Sequence, residues 1–362
     1  MIDSLHCGGA QRQLCNLAYG LKQLGHNTSV LVYHPQYEHF RPFLQEHAIE
    51  VLDLKKESGL SFTRQLASTA RRENADWMIA FLRGPAIYAS LAKLIAMGRF
   101  KVCVGERSAN VDGRFTNREY FERCIFHSAD LIVANSDFQG SLLRSKFRLM
   151  KHKIHSIPNC IDESFFAERR SHATTFGAPT TELLAVGQIN PLKNLHGLVD
   201  AIGAFKKSYG TPPTIRWAGR VAEGFEWYFD EQLKHIDSLG LSEHFRFEYE
   251  VTDVPEFLSH GDALIHPSLL EGFPNAVCEA MASSLPILVG DIADGSKLVG
   301  RNARGFLFDV TNPQSIADSI KRFLDLGDGD RSGQGAAAHT YAKEQFGLYN
   351  VAQRYAELLS SH

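Results

Sequence analysis

The 362-residue chain has no C-x-x-C pair. Its six cysteines stand at 7, 15, 103, 124, 160 and 278, too scattered for a zinc ribbon or a thioredoxin-type site. Scattered thiols among hydrophobic neighbours fit a reducing, cytoplasmic setting. No apolar run approaches the roughly 18 residues that a spanning helix needs. The nearest candidate, Ala86 to Met97, is broken by Lys93 and predicts a packed helix. No signal-peptide pattern precedes the first motif. The fingerprint G-x-G-x-x-G is absent, which disfavours a nicotinamide or flavin oxidoreductase. Neither sign of charge dominates: 38 Lys and Arg face 41 Asp and Glu, a net charge of −3. That balance gives no ground for a nucleic-acid partner.

What is present is globular composition, 44% hydrophobic and 22% charged, at a length suited to two domains. Charge is uneven along the chain. Residues 1–165 hold 21 cations against 16 anions, and residues 166–362 hold 17 against 25. A mildly basic first half suits an anionic lipid or phosphate.

Short apolar runs alternate with helical stretches. Thr28–Tyr33, Asp76–Phe81, Phe100–Val104 and Asp130–Ala134 predict buried strands, with a helix over Gln11–Leu24. The rhythm restarts with Glu182–Val186, Thr214–Ala218, Phe245–Tyr249, Ala263–His266 and Pro286–Val289. Helices over Leu195–Tyr209 and Trp227–Leu239 lie between them. This βαβα order predicts two α/β, doubly wound, Rossmann-like parallel-sheet domains, residues 1–165 and 166–340, joined near Cys160–Thr175. A last helix is expected over Tyr341–Leu359, after a polar linker at Gly327–Gly333. Only Met1, Ile2 and Asp3 precede the first glycine turn, Ser4–Gly9, which is short for a central strand. The expectation is that the natural chain starts several residues upstream.

Three segments offer chemistry. His6-Cys7-Gly8-Gly9-Ala10-Gln11-Arg12 opens a helix where absent Cβ atoms admit another molecule, and where unpaired N–H groups suit an anion. Gly187-Gln188-Ile189-Asn190-Pro191-Leu192-Lys193-Asn194 follows a strand and precedes a helix, the usual ligand position in an open parallel sheet. Lys193 there is a point charge suited to a diphosphate. The third segment, Pro267 to Ala282, carries Glu271 in a loop and Glu279 eight residues on, within the next helix. A carboxylate can grip paired hydroxyls, and Glu279 sits among apolar neighbours where it needs a partner. Backbone N–H groups around Gly272–Asn275 sit at the start of that helix, ready for sugar hydroxyls or phosphate.

The run EGFPNAVCEAMA resembles the E-x7-E signature of glycosyltransferase family 4, retaining enzymes of GT-B fold. GGAQRQLCNLAYGLKQLGHNTSVLV is similar to the family's opening, and AVGQINPLKNLHGLVDAI to the start of its donor domain. ADLIVANSDF, IPNCID and GDALIHPSLLEGFPNAVCEAMASSLPILVGD complete a likeness over nearly the whole chain. The resemblance implies two domains facing a cleft. It implies that Glu279 binds the ribose of a nucleotide sugar, with Glu271 at the transferring sugar. Gly272, Phe273, Pro274 and Asn275 would contact sugar and diphosphate, and Lys193 would neutralise the leaving group. Gly8, Gly9 and Arg12 would lie on the acceptor side, and the final helix, 341–362, would cross back to the first domain.

Two positions depart from the family pattern. Gln188 stands where an arginine is common, with Arg220 as a candidate replacement. Arg107, in VGERSAN, stands where related sequences can have histidine, so Glu106 and Arg107 become acceptor or leaving-group candidates. No metal is expected. His6, His26, His127, His155, His260 and His266 show no paired ligand spacing and are read as structural. The expected function is a retaining, metal-independent hexosyltransferase. It would move sugar from a nucleotide-sugar donor to a glycan or lipid-linked acceptor in surface polysaccharide or lipopolysaccharide synthesis. The cluster Lys146, Arg148, Lys151 and Lys153 suits peripheral contact with the inner face of the membrane. Two other readings fit the same residues: a GT-B sugar-nucleotide epimerase, and a silent nucleotide-sugar-binding protein.

Overall fold

In the computed structural model, which describes residues 1–107, 116–167, 181–249 and 251–362, parallel strands alternate with helices through both halves of the chain. Ser108, Ala109 and Asn110 of the VGERSAN segment, and residues 168–175 of the expected junction, lie outside the described residues. The chain divides into two units, residues 1–160 with 346–362, and residues 161–345.

In the first unit the elements run α1 (Gly9–Gln23), β1 (Ser29–Val32), α2 (Arg41–Glu46), β2 (Glu50–Asp53), α3 (Gly59–Arg72) and β3 (Trp77–Phe81). They continue as α4 (Arg83–Ile95), β4 (Lys101–Glu106), α5 (Asn117–Ile125), β5 (Leu131–Ala134), α6 (Asp137–Lys146) and β6 (Ile154–Ser156). Strands β1 and β2 pair in parallel, and β3 to β6 form a second parallel run in chain order. Met1–Asp3 bridges the two. The Ile2 N–H donates to Leu31 O at 3.0 Å, and the Phe81 N–H donates to Met1 O at 3.1 Å. The Met1 amino group donates to Ile79 O at 2.7 Å. Three residues therefore occupy the central-strand position that the sequence assigns them. Alongside them a cavity of about 850 Å³ opens between β1 and β3, with Leu14, Leu21, Val30 and Trp77 in its walls.

Burial explains why these runs are strands. All four residues of β5 are buried, as are five of six in β4, because helices cover both faces of the sheet. Phe62, Leu66 and Ala89 belong to the core on one face, and Leu14, Leu17 and Tyr355 to the core on the other.

The second unit contains β7 (Glu182–Val186), α7 (Leu195–Tyr209), β8 (Thr214–Ala218), α8 (Glu226–Ser238), β9 (Phe245–Glu248), α9 (Val254–Ser259) and β10 (Ala263–His266). It continues through α10 (Asn275–Ala282), β11 (Ile287–Gly290), α11 (Gly295–Val299), β12 (Gly305–Phe308), α12 (Pro313–Leu324) and α13 (Asp328–Phe346). The sheet order is β12-β11-β10-β7-β8-β9, all parallel. Chain direction reverses its march across the sheet between β7 and β10, which is the topological switch point of a doubly wound fold. Trp217 and Phe323 are fully buried in this unit's core.

The end of the chain departs from the sequence reading. Gly327–Gly333 is not a linker: α13 begins at Asp328. Packing overrides poor helix propensity here. Gly335 lies so close to the backbone of Ser284 that a Cβ would come within 2.3 Å of its carbonyl oxygen, while Ala338, Ala342 and Phe346 recur at helical spacing and are buried. The single helix expected over Tyr341–Leu359 is two helices. Gly347, with ψ at 138°, breaks the chain between α13 and α14 (Leu348–Ser360). α14 packs on α1 of the first unit, where the missing side chain of Gly20 admits Ala352.

Candidate active site

The switch point in the second unit collects the predicted donor residues. After β7 the chain turns at Gly187, whose φ of 149° favours glycine. The Gly187 N–H donates to Ala218 O at 2.9 Å, and the Trp217 indole donates to Gly187 O at 2.8 Å. Gly219, at φ 148°, allows this approach, since a Cβ there would meet Gly187 O at 2.1 Å. The Ile189 N–H then donates to Arg220 O at 2.9 Å, so the loops carrying Gln188 and Arg220 run side by side. Both side chains are exposed. This places Arg220 beside Gln188.

The loop after Ile189 is built around two asparagines. Asn190 Oδ1 accepts from the N–H groups of Leu192 and Lys193, at 3.0 and 3.3 Å, and starts a short 3-10 turn. Asn194 takes the left-handed conformation at φ 58°, which asparagine tolerates better than most residues. Its amide donates to Pro267 O at 3.1 Å and Val310 O at 2.9 Å, and its oxygen caps Gly197 N–H at 3.2 Å. The buried Asn194 thus ties the β7 loop to the β10 loop. The Leu269 N–H donating to Leu192 O at 2.8 Å completes the tie.

This frame brings Lys193 to Glu271. Lys193 Nζ donates to Glu271 Oε1 at 2.6 Å, across 78 residues of chain. His266 Nε2, at the end of β10, lies 2.8 Å from the same oxygen. Burial alone would raise the Glu271 carboxyl; the hydrogen bond and charge of His266, and the Lys193 ammonium, outweigh it and hold the group down at about 2. The carboxylate is therefore ionised at any working pH and able to accept from hydroxyls. His266 is 6% exposed and was read from sequence as structural. Its signal was its place as the last residue of an apolar strand, five before Glu271, because strand ends aim side chains into the crevice.

Glu279 lies one turn inside α10 and is 6% exposed, flanked by buried Cys278 and Ala280. Burial, then the charge of Glu279, pushes the Cys278 thiol well up, which leaves it unionised. Phe273 and Pro274 are buried, whereas Gly272 and Asn275 are half-buried. The Asn275 N–H donates to Phe273 O at 3.0 Å, so it is not an unpaired donor as the sequence reading expected.

The first-unit residues do different work. Gly8 caps α1 without a side-chain bond, and Gly9 begins the helix, with Arg12 half-buried one turn on. The turn before them is a small network: Asp3 Oδ1 accepts from Ser4 N–H at 2.7 Å and from the Gln11 amide at 3.1 Å. Gln11 also lies 3.1 Å from His6 Nδ1. Glu106 and Arg123 form a buried ion pair at 2.7 Å. Arg107 donates to Asn159 Oδ1 at 2.8 Å and to the Tyr355 hydroxyl at 3.0 Å, and its guanidinium stacks 3.9 Å from the Phe81 ring centroid. In the basic cluster, Lys146, Arg148 and Lys151 are exposed around Leu149, itself 83% exposed. Lys153 is not part of that face, because its ammonium donates to His127 O and Ala129 O at 2.9 and 2.8 Å. No helix among the described residues is long and apolar enough to cross a membrane.

A doubly wound sheet with a cation and two carboxylates at its switch point defines the class: this is a GT-B fold. Solved structures agree. The Anabaena HepE protein in complex with UDP matches with a TM-score of 0.85 at 21% identity, over 100% of this chain and 98% of its own. The lipopolysaccharide outer core galactosyltransferase WaaB matches at a TM-score of 0.72 and 14% identity, over the whole of both chains. Family models place the chain more closely. Residues 7–165 match Glycosyltransferase Family 4, and residues 170–340 match Glycosyl transferases group 1. The chain belongs to glycosyltransferase family 4. Among curated relatives, the D-inositol 3-phosphate glycosyltransferase of Paenarthrobacter aurescens is 27% identical over 67% of this chain and 61% of its own length. The O-antigen chain mannosyltransferase RfbU of Salmonella typhimurium is 27% identical over 49% of each. The matched region thus spans about half to three fifths of these relatives.

Proposed function

We propose that the protein is a retaining glycosyltransferase that moves a sugar from a nucleotide-sugar donor to a glycan or lipid-linked acceptor, in the synthesis of surface polysaccharide or lipopolysaccharide. The observation that carries this reading is the Lys193–Glu271–His266 cluster at the switch point, with Glu279 buried in the helix that follows. An arriving diphosphate competes for Lys193, whose ammonium neutralises charge as the sugar–phosphate bond breaks. Arg220 adds a second cation beside Gln188. These groups, not a metal ion, are proposed to stabilise the leaving group. Glu271, held ionised, accepts from sugar hydroxyls, and Glu279 accepts from the ribose. Gly272, Phe273, Pro274 and Asn275 shape the wall around the sugar.

The acceptor side is proposed for Gly8, Gly9 and Arg12 at the start of α1; at the end of β4, Glu106, paired with Arg123, and Arg107, held by Asn159 and Tyr355, are proposed to position that side rather than to touch the acceptor. With no covalent glycosyl-enzyme, retention has the acceptor hydroxyl attack from the face the leaving group departs. The exposed cations Lys146, Arg148 and Lys151, with Leu149 among them, would hold the protein to an anionic membrane where a lipid-linked acceptor resides.

The experiment is incubation with UDP-, GDP-, ADP- and dTDP-sugars, alone and with lipid-linked and soluble glycan acceptors, with product anomers assigned by proton NMR. An α-linked product from an α-linked donor is expected. An inverted product would exclude retention. A free altered sugar without acceptor would identify the epimerase, and donor binding without any turnover would identify the silent protein. Reversing Lys146, Arg148 and Lys151 to Glu should abolish binding to anionic liposomes while leaving transfer to a soluble acceptor unchanged. Absence of binding by the unaltered protein would remove the membrane contact from this account.

A further inference from the structure

Away from the switch point, α7 and α8 bring together three side chains that the proposed transfer reaction does not use. His196 lies in the first turn of α7 and Asp200 one turn later on the same face. His235 reaches across from α8. His196 Nε2 is 3.4 Å from Asp200 Oδ2, and His235 Nε2 is 2.7 Å from Asp200 Oδ1. The two imidazoles stack with centroids 5.2 Å apart at 25°. One ligand atom from each residue lies within 4.8 Å of the others.

The hydrogen-bond pattern sets the tautomer. His196 Nδ1 is 3.0 Å from Gln232 Oε1, an acceptor on a side chain only 4% exposed. An amide oxygen accepts, so Nδ1 carries a proton. With Nδ1 protonated, His196 turns Nε2 toward Asp200 Oδ2, where either a proton or a metal ion can lie between them. His235 Nε2 faces the other Asp200 oxygen. A tetrahedral ion with bonds of about 2.0–2.1 Å has an edge of about 3.3 Å, close to the 3.4 Å between His196 and Asp200. His235 Nε2 now lies against the other Asp200 oxygen, Oδ1, so its side chain must swing to share one oxygen with His196. Partly exposed side chains can make that change without moving a helix. Gln232 plays the outer-sphere part, fixing the ring of a ligating histidine.

We infer that His196, Asp200 and His235 form a binding site for a zinc-type divalent cation, with a fourth position open to solvent. Two imidazoles and a carboxylate suit zinc and its neighbours in the transition series rather than magnesium or calcium. The site clamps α8 to the first turn of α7. That turn directly follows Lys193 and Asn194, so the bound ion stiffens the segment that holds the Lys193 cation. Scanning the sequence for paired histidines missed it, because its signal is a His-x3-Asp spacing on one helix completed by a histidine from another.

The test uses the full chain, stripped with EDTA and titrated calorimetrically with zinc chloride near neutral pH. Cys7 and Cys124, both exposed, are replaced by Ser throughout to remove competing thiols. One tight site per chain is expected, weakened at least roughly tenfold by His196→Ala, by His235→Ala and by Asp200→Asn, and roughly tenfold by Gln232→Leu. Zinc should raise the melting temperature of the parent and not of these variants, whose metal-free melting should match the parent's. His196 is exposed, so its variant serves even where another fails to fold. Tight binding that survives His196→Ala and His235→Ala, or no tight site in the parent, would overturn the assignment.

Discussion

At the end of β4, Arg107 is held on three sides, by Asn159, Tyr355 and the Phe81 ring. At the end of β7, Lys193 reaches a carboxylate that also takes a bond from His266. Both cations occupy the same place in a doubly wound unit, the loop just past a strand's carboxyl end. The difference lies in their partners. Arg107 bonds to neutral groups that fix its geometry and join α14 to the sheet. Lys193 bonds to an anion that an arriving diphosphate can displace. On the proposed function, one arrangement holds the fold around the site and the other keeps a charge for a ligand. Topology marks where chemistry can occur, and the local partners decide whether it does.

Substitutions at the two cations should separate these roles. Lys193→Ala should reduce transfer by about 10²–10³-fold, because it removes charge at the leaving group, with a smaller loss of stability, since His266 still holds the Glu271 carboxylate. Equal losses of activity and stability would erase the contrast. Acid stability provides the next test. The Glu271 carboxyl falls from 4.5 to about 2 on folding. A depressed carboxyl stabilises above its unfolded value, and that stability disappears as pH falls toward the folded value. Chemical denaturation between pH 4.5 and 2 should therefore show up to about 3 kcal/mol of loss that Glu271→Gln lacks. Arg107→Ala should cost about 2 kcal/mol, roughly 4–8 °C in melting temperature, by stranding Asn159 and Tyr355. Its effect on transfer at a temperature where it remains folded should be smaller than that of Lys193→Ala. A loss as large as the lysine's would move Arg107 into the reaction itself.

Most of the second unit was legible in sequence, because its strands are mostly apolar runs bounded by turn residues. Glu182–Val186, Thr214–Ala218 and Ala263–His266 were read with their observed bounds. The strands that escaped were β2, β6 and β12, each three or four residues long. In β2 and β6 polar residues share the run, so neither reads as a buried strand. Lys193, Glu271 and Glu279 were singled out mainly by the family resemblance; on its own chemistry, only the carboxylate of Glu279 in an apolar helix asks for a partner. The meeting of Lys193 with Glu271 was not legible, since an ion pair across 78 residues depends on sheet order. Asn194 was hidden for the same reason: its two carbonyl partners come from distant loops. The start of α13 misled because glycine and aspartate carry weak helix propensity; the close approach to Ser284 accounts for Gly335, whereas Gly327, Gly329 and Gly333 face open space.

The central claim is that the β7–β10 crevice binds a nucleotide sugar through Glu279 as well as Lys193. The most direct measurement is calorimetric titration of UDP, GDP, ADP and dTDP into the unaltered chain and Glu279→Ala. The account predicts saturable binding of one nucleotide, weakened about 10–100-fold by the substitution, as expected for lost hydrogen bonds to a charged acceptor. Binding of equal strength in both proteins, or of none of the four nucleotides by the unaltered chain, would contradict it.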